Sequence, residues 1–263
     1  MQKGKLIFEG NNKKIYECSD SNALILQFKD GPTSLIQLSS YGPIHGNGIL
    51  HNTVSSFIMQ KLSGLNIPTH LINQLNMREQ LVHCLDMFPF RVVIRNYAAG
   101  NMMRKFGLIE GTKLHKPLLE YYIDAFEDTD SESMCLISRS HIENMGWATD
   151  EEIKQIEEIA YRTNDFLSGL FSGIKISLAN FSLSFGRHFS YDEDDIQVML
   201  GNEITPKTCR LWEDTTDHKF RFRYISLLEV TERLKLLPQH TDNPSKDSKI
   251  ESKQDIYKLS DKV

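Results

Sequence analysis

The chain has 263 residues, 40% hydrophobic and 25% charged, with a formal net charge of -5 and a pI near 6.0. That length allows one large core or two lobes around a cleft, and the acidic balance argues against a nucleic-acid partner. No run approaches the roughly 18 to 20 apolar residues that span a bilayer. Met1-Gln2-Lys3-Gly4-Lys5 leads into a strand pattern rather than a secretory signal, so a cytoplasmic protein is expected.

Residues 5 to 29 read as a strand meander: Leu6-Ile7-Phe8, a turn through Gly10-Asn11-Asn12, Lys14-Ile15-Tyr16, then Ala23 to Phe28. Residues 31 to 46 hold Gly31, Pro32, Gly42, Pro43 and Gly46 without periodicity and read as a loop. A helix is expected from about Asn47 to Leu62, with Leu50, Val54, Phe57, Ile58 and Leu62 on one face. The apolar stretch from Leu81 to Arg95 reads as a crossover between lobes followed by a buried strand. Thr149-Asp150-Glu151-Glu152 is a capping box, and Ile153, Ile156, Ala160, Leu167 and Leu170 continue a helical stripe to Gly173. Glu157 and Glu158 read as the solvated side of that helix. Two strands follow, about 174 to 186 and 196 to 202, joined by an acidic hairpin from Tyr191 to Asp195. A last helix is expected from about Tyr224 to Leu237, stopped by Pro238, and residues 239 to 263 read as a mobile charged tail.

His45 and His51 flank the start of the first helix with no third ligand in view and read as exposed or capping residues. Cys18, Cys84, Cys135 and Cys209 lack the paired spacing of a zinc site and read as reduced structural thiols. The acids Asp192 to Asp195 read as a solvated hairpin tip, so no metal ligands are assigned.

In the segment Asn180 to Gly186, alternation turns Phe181, Leu183 and Phe185 to the core and places Asn180, Ser182 and Ser184 together on the other face. That face is polar and uncharged. In Val92 to Asn101, small residues follow a buried strand and let backbone approach a ligand, while Arg95 can make a paired contact with phosphate or carboxylate.

These segments, in this order, resemble the SAICAR synthetase family. Val92 to Asn101 is similar to the family's Val-Val-Arg-Asn-x-Ala-Ala-Gly-Ser, whose Arg and Ser help hold the carboxyaminoimidazole ribotide; Asn101 stands for the Ser, and Arg91 stands where an acid usually precedes the strand. Glu203 to Trp212 resembles Glu-x-Ser-Pro-Asp-x-x-Arg-Leu-Trp-Asp, which makes Arg210 a second candidate anion ligand and leaves Trp212 to core packing. Gly10 to Tyr16 occupies the place of Gly-Lys-Ala-Lys-x-Val-Tyr, a glycine turn that presents lysines to nucleotide phosphates; Lys13 matches, and the preceding lysine is Asn11. Asn180 to Gly186 resembles Asp-Phe-Lys-Leu-Glu-Phe-Gly with Asp, Lys and Glu replaced by Asn180, Ser182 and Ser184. Gly201-Asn202-Glu203 resembles Gly-Asp-Glu with the metal-side Asp replaced by Asn202. The family's Lys-Gly before the first helix is Asn47-Gly48, and its Leu-Val-Lys-Lys at the crossover is Leu81-Val82-His83-Cys84. Near Asp128, Asp130 and Glu132, Ser131-Glu132-Ser133 takes the place of a His-Asp-Pro.

The resemblance runs from residue 1 to about 237 and implies an α/β (α+β) fold of two lobes around a cleft. Residues 1–88 would form a nucleotide-side antiparallel lobe and 89–238 a larger mixed lobe for the ribotide. It implies the family reaction, in which ATP and magnesium drive amide formation between the ribotide carboxylate and L-aspartate, with no nucleic-acid or membrane partner. The implied ribotide ligands are Arg95, Asn101 and Arg210, and the implied nucleotide ligands Gly10, Lys13 and Glu203. That chemistry needs cations on the transferring phosphoryl group and carboxylates on magnesium. With Asn180, Ser182, Ser184 and Asn202 at the catalytic positions, the expectation is weak or absent ligase activity with the ribotide-side anion site retained. Left open are a working ligase in which Glu203, Asp192 or Lys207 substitutes, a non-catalytic scaffold, and association with a second copy or an active homologue.

Overall fold

The computed structural model describes residues 2–30, 46–123, 135–190, 196–214 and 222–237. The expected loop up to residue 45, His45, the acids Asp128, Asp130 and Glu132, the hairpin tip Asp192 to Asp195 and the 239–263 tail lie outside the described residues.

The expected meander forms as β1 (Lys3–Glu9), β2 (Lys13–Cys18) and β3 (Ala23–Phe28), all antiparallel. The Gly10 N–H closes the first turn on the Lys13 carbonyl at 2.9 Å. With β4 (Leu71–Gln74) and β5 (Glu79–His83) the first sheet has the order β1-β2-β3-β5-β4. Across it lies α1 (Asn47–Gly64), whose Val54, Ile58, Met59 and Leu62 are fully buried. Asp30 fixes the first turn of α1, accepting the Gly48 N–H at 2.8 Å and two bonds from the Arg78 guanidinium at 2.9 Å each. Position 48 requires glycine because a Cβ there would lie 2.7 Å from Arg78 Nη1 and 2.8 Å from the Phe28 carbonyl oxygen.

The chain passes from the first sheet to the second between β5 and β6 (Asp86–Tyr97), where the crossover was expected. β6 lies between β9 (Ser177–Phe189) and β7 (Lys113–Ile123), all antiparallel. β8 (Cys135–Ile137) extends the sheet beyond β7, while β11 (Cys209–Asp214) and β12 (Phe222–Tyr224) extend it beyond β9. β10 (Ile196–Gly201) pairs with the other end of β9. α4 (Asp150–Gly173) begins at the expected capping box: Thr149 Oγ1 accepts the Glu152 N–H at 3.2 Å, and the Glu152 carboxylate accepts the Thr149 N–H at 2.8 Å. Its Ile153, Ile156, Ala160, Leu167 and Phe171 pack with Phe181, Leu183 and Phe185 in one core that also takes in Leu26, Phe28 and the apolar side of α1. Three short helices complete the fold: α2 (Asn101–Phe106), α3 (Arg139–Asn144) and α5 (Leu227–Arg233).

The last helix is shorter than expected. Residues 222 to 224 pair with β11, Arg223 sits opposite Glu213 and bonds to its carboxylate, and Ser226 then caps α5 through the Glu229 N–H. Glu157 departs from its expected solvated role, since Tyr121 Oη donates to it at 2.6 Å. All four cysteines are free thiols; Cys209 is buried and Cys18 packs half-buried against Ala23, Ile25 and Leu81, as the structural reading expects, whereas Cys84 and Cys135 are exposed. No helix among the described residues is long and apolar enough to cross a membrane.

Candidate functional site

The first part of the site is a row across three strands. Register sets Arg210 on β11 opposite Asn180 on β9, and Asn180 opposite Arg95 on β6. Residues directly paired across a sheet share a face, and this face is turned away from α4. The expected alternation along β9 holds: Phe181, Leu183 and Phe185 are buried, whereas Asn180, Ser182 and Ser184 are half-buried on the opposite face. The Arg95 guanidinium is gripped from β7, with Nε donating to Glu120 Oε2 at 2.5 Å and Nη2 to Tyr122 Oη at 3.1 Å. Tyr122 Oη donates to the same carboxylate oxygen at 2.9 Å. Burial opposes the Arg95 charge, but the bonds to Glu120 and Tyr122 outweigh it and hold its pKa above the ordinary value.

Arg210 lies against Gly100, where the chain leaves β6. A Cβ at position 100 would stand 3.1 Å from Arg210 Nη1, and φ there is +63°, a conformation side chains rarely adopt. The glycine therefore gives the guanidinium its place. In the middle of the row, Asn180 Nδ2 is buried and has no hydrogen-bond partner among the described residues. Such an orphaned donor costs about 1–3 kcal/mol, and an acceptor bound across the row would satisfy it. Asn101 opens α2, and its side chain lies outside the described set.

From this row the strip Asn180, Ser182, Ser184 runs about 13 Å along β9 toward Gly201 of β10, which pairs with Ser184. Immediately beyond, Asn202 takes a φ of +62°. Here lies the second part of the site. Lys13 Nζ, from β2, donates to Asn202 Oδ1 and lies 3.5 Å from Glu203 Oε2. Lys207 and His51 both feel the charges of Glu203 and Lys13. His70 feels Lys13 and bonds to the Asn202 backbone. Burial lowers the pKa of Lys13, His51 and Lys207, and takes His70 to about 3. Two nitrogens at this cluster, His51 Nδ1 and His70 Nε2, are buried without hydrogen-bond partners among the described residues, while Glu203 Oε2 is buried with the Lys13 ammonium as its ion-pair partner.

The expectation that His51 is an exposed or capping residue is thus overturned. Its signal was in the sequence: position 51 falls one helical turn before Val54, Ile58 and Leu62, on the stripe that α1 buries. His70 carried no local signal, because its place depends on the segment 68–70 meeting β10, with the His70 N–H bonded to the Leu200 carbonyl at 2.8 Å. Gly10 acts through the turn it closes, which sets the start of β2 and therefore Lys13.

Magnesium takes hard oxygen ligands, chiefly carboxylates and phosphates. Asn202 offers only an amide oxygen, already bonded to the Lys13 ammonium, which also faces Glu203. No group of three or more His, Cys, Asp or Glu side chains among the described residues could hold a metal ion. These residues do not fit magnesium.

Two antiparallel sheets joined at one crossover, with this polar strip running between their two basic sites, make the protein a two-lobed α+β protein. The SAICAR synthetase family model matches residues 6–223. The chain is 42% identical over 228 residues to the phosphoribosylaminoimidazole-succinocarboxamide synthase of Hyphomonas neptunium, covering 85% of each chain. It is 41% identical over 253 residues to that of Zymomonas mobilis, covering 92% of this chain and 94% of the relative. The crystal structure of the Ehrlichia chaffeensis synthase matches with a TM-score of 0.77 at 33% identity, over 89% of this chain and 100% of that one. A type-2 SAICAR synthetase in complex with ADP matches with a TM-score of 0.71 at 31% identity, over 86% of this chain and 96% of that one. The chain belongs to the SAICAR synthetase family, whose reaction joins a carboxyaminoimidazole ribotide to L-aspartate at the expense of ATP.

Proposed function

We propose that this family member retains a ribotide-anion site at Arg95, Asn180 and Arg210 and performs the ligase step weakly or not at all. The observation that carries the reading is the buried, unpartnered amide donor of Asn180 between two guanidinium groups. The family pattern has an aspartate at this position, whose charge would offset the two arginines. Among the described residues the amide leaves them Glu120 as the counter-charge on Arg95, so the row keeps a net positive charge there and gains a donor. Phosphate or carboxylate oxygens of a ribotide match that arrangement.

On the other side of the crossover, Gly10, Lys13 and Glu203 take the nucleotide role in this reading, with residues 1–88 as the nucleotide-side lobe and 89–238 as the ribotide-side lobe. A structural relative was solved in complex with ADP, which supports a nucleotide as a ligand of this fold. Ser182 and Ser184 are too short and neutral to stabilise a transferring phosphoryl group. Removal of one such stabilising group costs about 10²- to 10³-fold in rate, and several are altered here.

The test is a mass-spectrometric search for the succinocarboxamide product with ATP, Mg²⁺, the ribotide and L-aspartate, beside an active family member. Turnover at least about 10³-fold below that control is expected, together with calorimetric ribotide binding that Arg210→Ala abolishes. ATP-dependent product at the control's rate, lost in Arg95→Ala, would overturn the reading. It would favour the alternative of a working ligase, for which Lys207 beside Glu203 is the specific support, since it brings a second ammonium to the nucleotide side. Lys207→Ala would then remove the product.

A further inference from the structure

The cluster around Asn202 has the charge arrangement of a cation site whose cation belongs to the chain itself. Lys13 Nζ donates to the Asn202 amide oxygen and faces Glu203 Oε2, with side-chain exposures of only 18% for Lys13 and 5% for Glu203. Lys13 is held there by the sheet: its carbonyl accepts the Gly10 N–H, and it pairs in register with Phe28 of β3. An aspartate at 202 would set two carboxylates around this place and leave negative charge for a divalent ion. Among the described residues asparagine leaves Glu203, which the Lys13 ammonium faces and neutralises. Lys207, exposed four residues along the chain, is near enough to the same carboxylate to feel its charge. Among the described residues two cations thus answer one carboxylate, and the buried nitrogens His51 Nδ1 and His70 Nε2, without hydrogen-bond partners among those residues, belong to side chains that feel the Lys13 charge.

We infer that Lys13 takes the place of a divalent cation in this chain, and that the cluster binds a pyrophosphate-type anion directly on Lys13 and Lys207 without any metal. The inference rests on the reading of Lys13 and Glu203 as nucleotide-side residues and is independent of the Arg95–Asn180–Arg210 row. Lysine ammonium groups bind phosphate as point charges. A divalent ion entering beside Lys13 would meet a positive charge and an amide where it needs carboxylates.

The experiment uses the full chain and two probes, inorganic pyrophosphate by calorimetry and Mn²⁺ by electron paramagnetic resonance. Pyrophosphate is expected to bind with the same affinity in EDTA as in excess Mg²⁺, and the wild-type chain to leave Mn²⁺ free in solution. Lys13→Met should weaken pyrophosphate binding about 10- to 100-fold, the loss of one charged hydrogen-bond partner. Asn202→Asp, an isosteric change that tests the same idea in a differently perturbed chain, should create a Mn²⁺ site and weaken metal-free pyrophosphate binding. Mn²⁺ bound by the wild type, pyrophosphate binding that requires Mg²⁺, or no pyrophosphate binding in either buffer would each overturn the inference. An Asn202→Asp chain that folds but still leaves Mn²⁺ free would do the same. None of these outcomes bears on ribotide affinity, so failure here and failure of the proposed function are separable.

Discussion

Asn180 and Asn202 each keep the shape of an aspartate while lacking its charge, and they stand at opposite ends of one polar strip. At 202 the missing charge is matched by a lysine that takes up the amide oxygen. At 180 the amide nitrogen has no hydrogen-bond partner among the described residues. The difference predicts the effect of returning the carboxylate at 180. Asn180→Asp would place a negative charge between Arg95 and Arg210, compete with a bound anion for both, and lower ribotide affinity by about 10- to 100-fold. Calorimetry with the ribotide measures it, and equal affinity in the two chains would remove the row from the site. Asn180→Ala serves as the comparison: it deletes the donor without adding charge and should lose less.

At the scale of the element, the start of α1 shows how a polar residue outside a helix can set it. Burial of Asp30 raises its pKa, but the Arg78 bonds and the backbone N–H groups of Gly48 and Gly46 pull harder, bringing it from 3.8 down to about 2. Because the folded value lies below the unfolded one, the stabilisation is fully present above about pH 4 and is lost as the pH falls toward 2. Asp30→Asn should therefore cost on the order of 1 kcal/mol at neutral pH, allowing for solvent around Arg78. Urea unfolding of the two chains across this range checks it: the curves should converge near pH 2, and a constant gap would mean the cost comes from packing. The glycine at 48 is legible as an expected motif residue, but the reason for it, the Arg78 and Phe28 atoms occupying the space of a Cβ, depends on residues 30 and 20 positions away. Periodicity located β1 to β3, α1, α4 and the two faces of β9, because each is set by local alternation. It could not place Arg95, Asn180 and Arg210 in one row, since strand order and register are properties of the sheet. For the same reason the sequence pattern extends the last helix back to Tyr224, which β11 recruits as a strand residue.

At the scale of the molecule, the two sheets are stitched through the segment that carries His70. The Leu200 N–H bonds the Pro68 carbonyl at 3.0 Å, the His70 N–H bonds the Leu200 carbonyl, and the His83 N–H bonds the His70 carbonyl at 2.8 Å. His83 on β5 also meets His188 on β9, with ring centroids 4.3 Å apart. The histidines thus gather where the sheets join, and three of them, His51, His70 and His83, have their pKa lowered, in each case first by burial. Lys13 and His83 add repulsion at His70, and the bond to the Asn202 backbone only partly opposes them. The folded chain therefore resists protonation of groups that the unfolded chain protonates below their ordinary value of 6.5. This stability is complete above pH 6.5 and falls with pH until about 3, where folded His70 itself takes a proton. A single suppressed histidine costs about 1.4 kcal/mol per pH unit in that window, hence about 2 kcal/mol by pH 5. The lowered carboxylates Asp30, Glu79, Glu152 and Glu229 contribute only below their ordinary values of 3.8 and 4.5, so the range from pH 6.5 to 5 belongs to the histidines. His70→Gln, which does not titrate there, should flatten the fall in unfolding free energy between pH 6.5 and 5 by about 1.4 kcal/mol per unit, whatever it costs at pH 7. An unchanged slope would show that His70 does not stay neutral in the fold, and that the acid weakness lies elsewhere than at the junction of the two sheets.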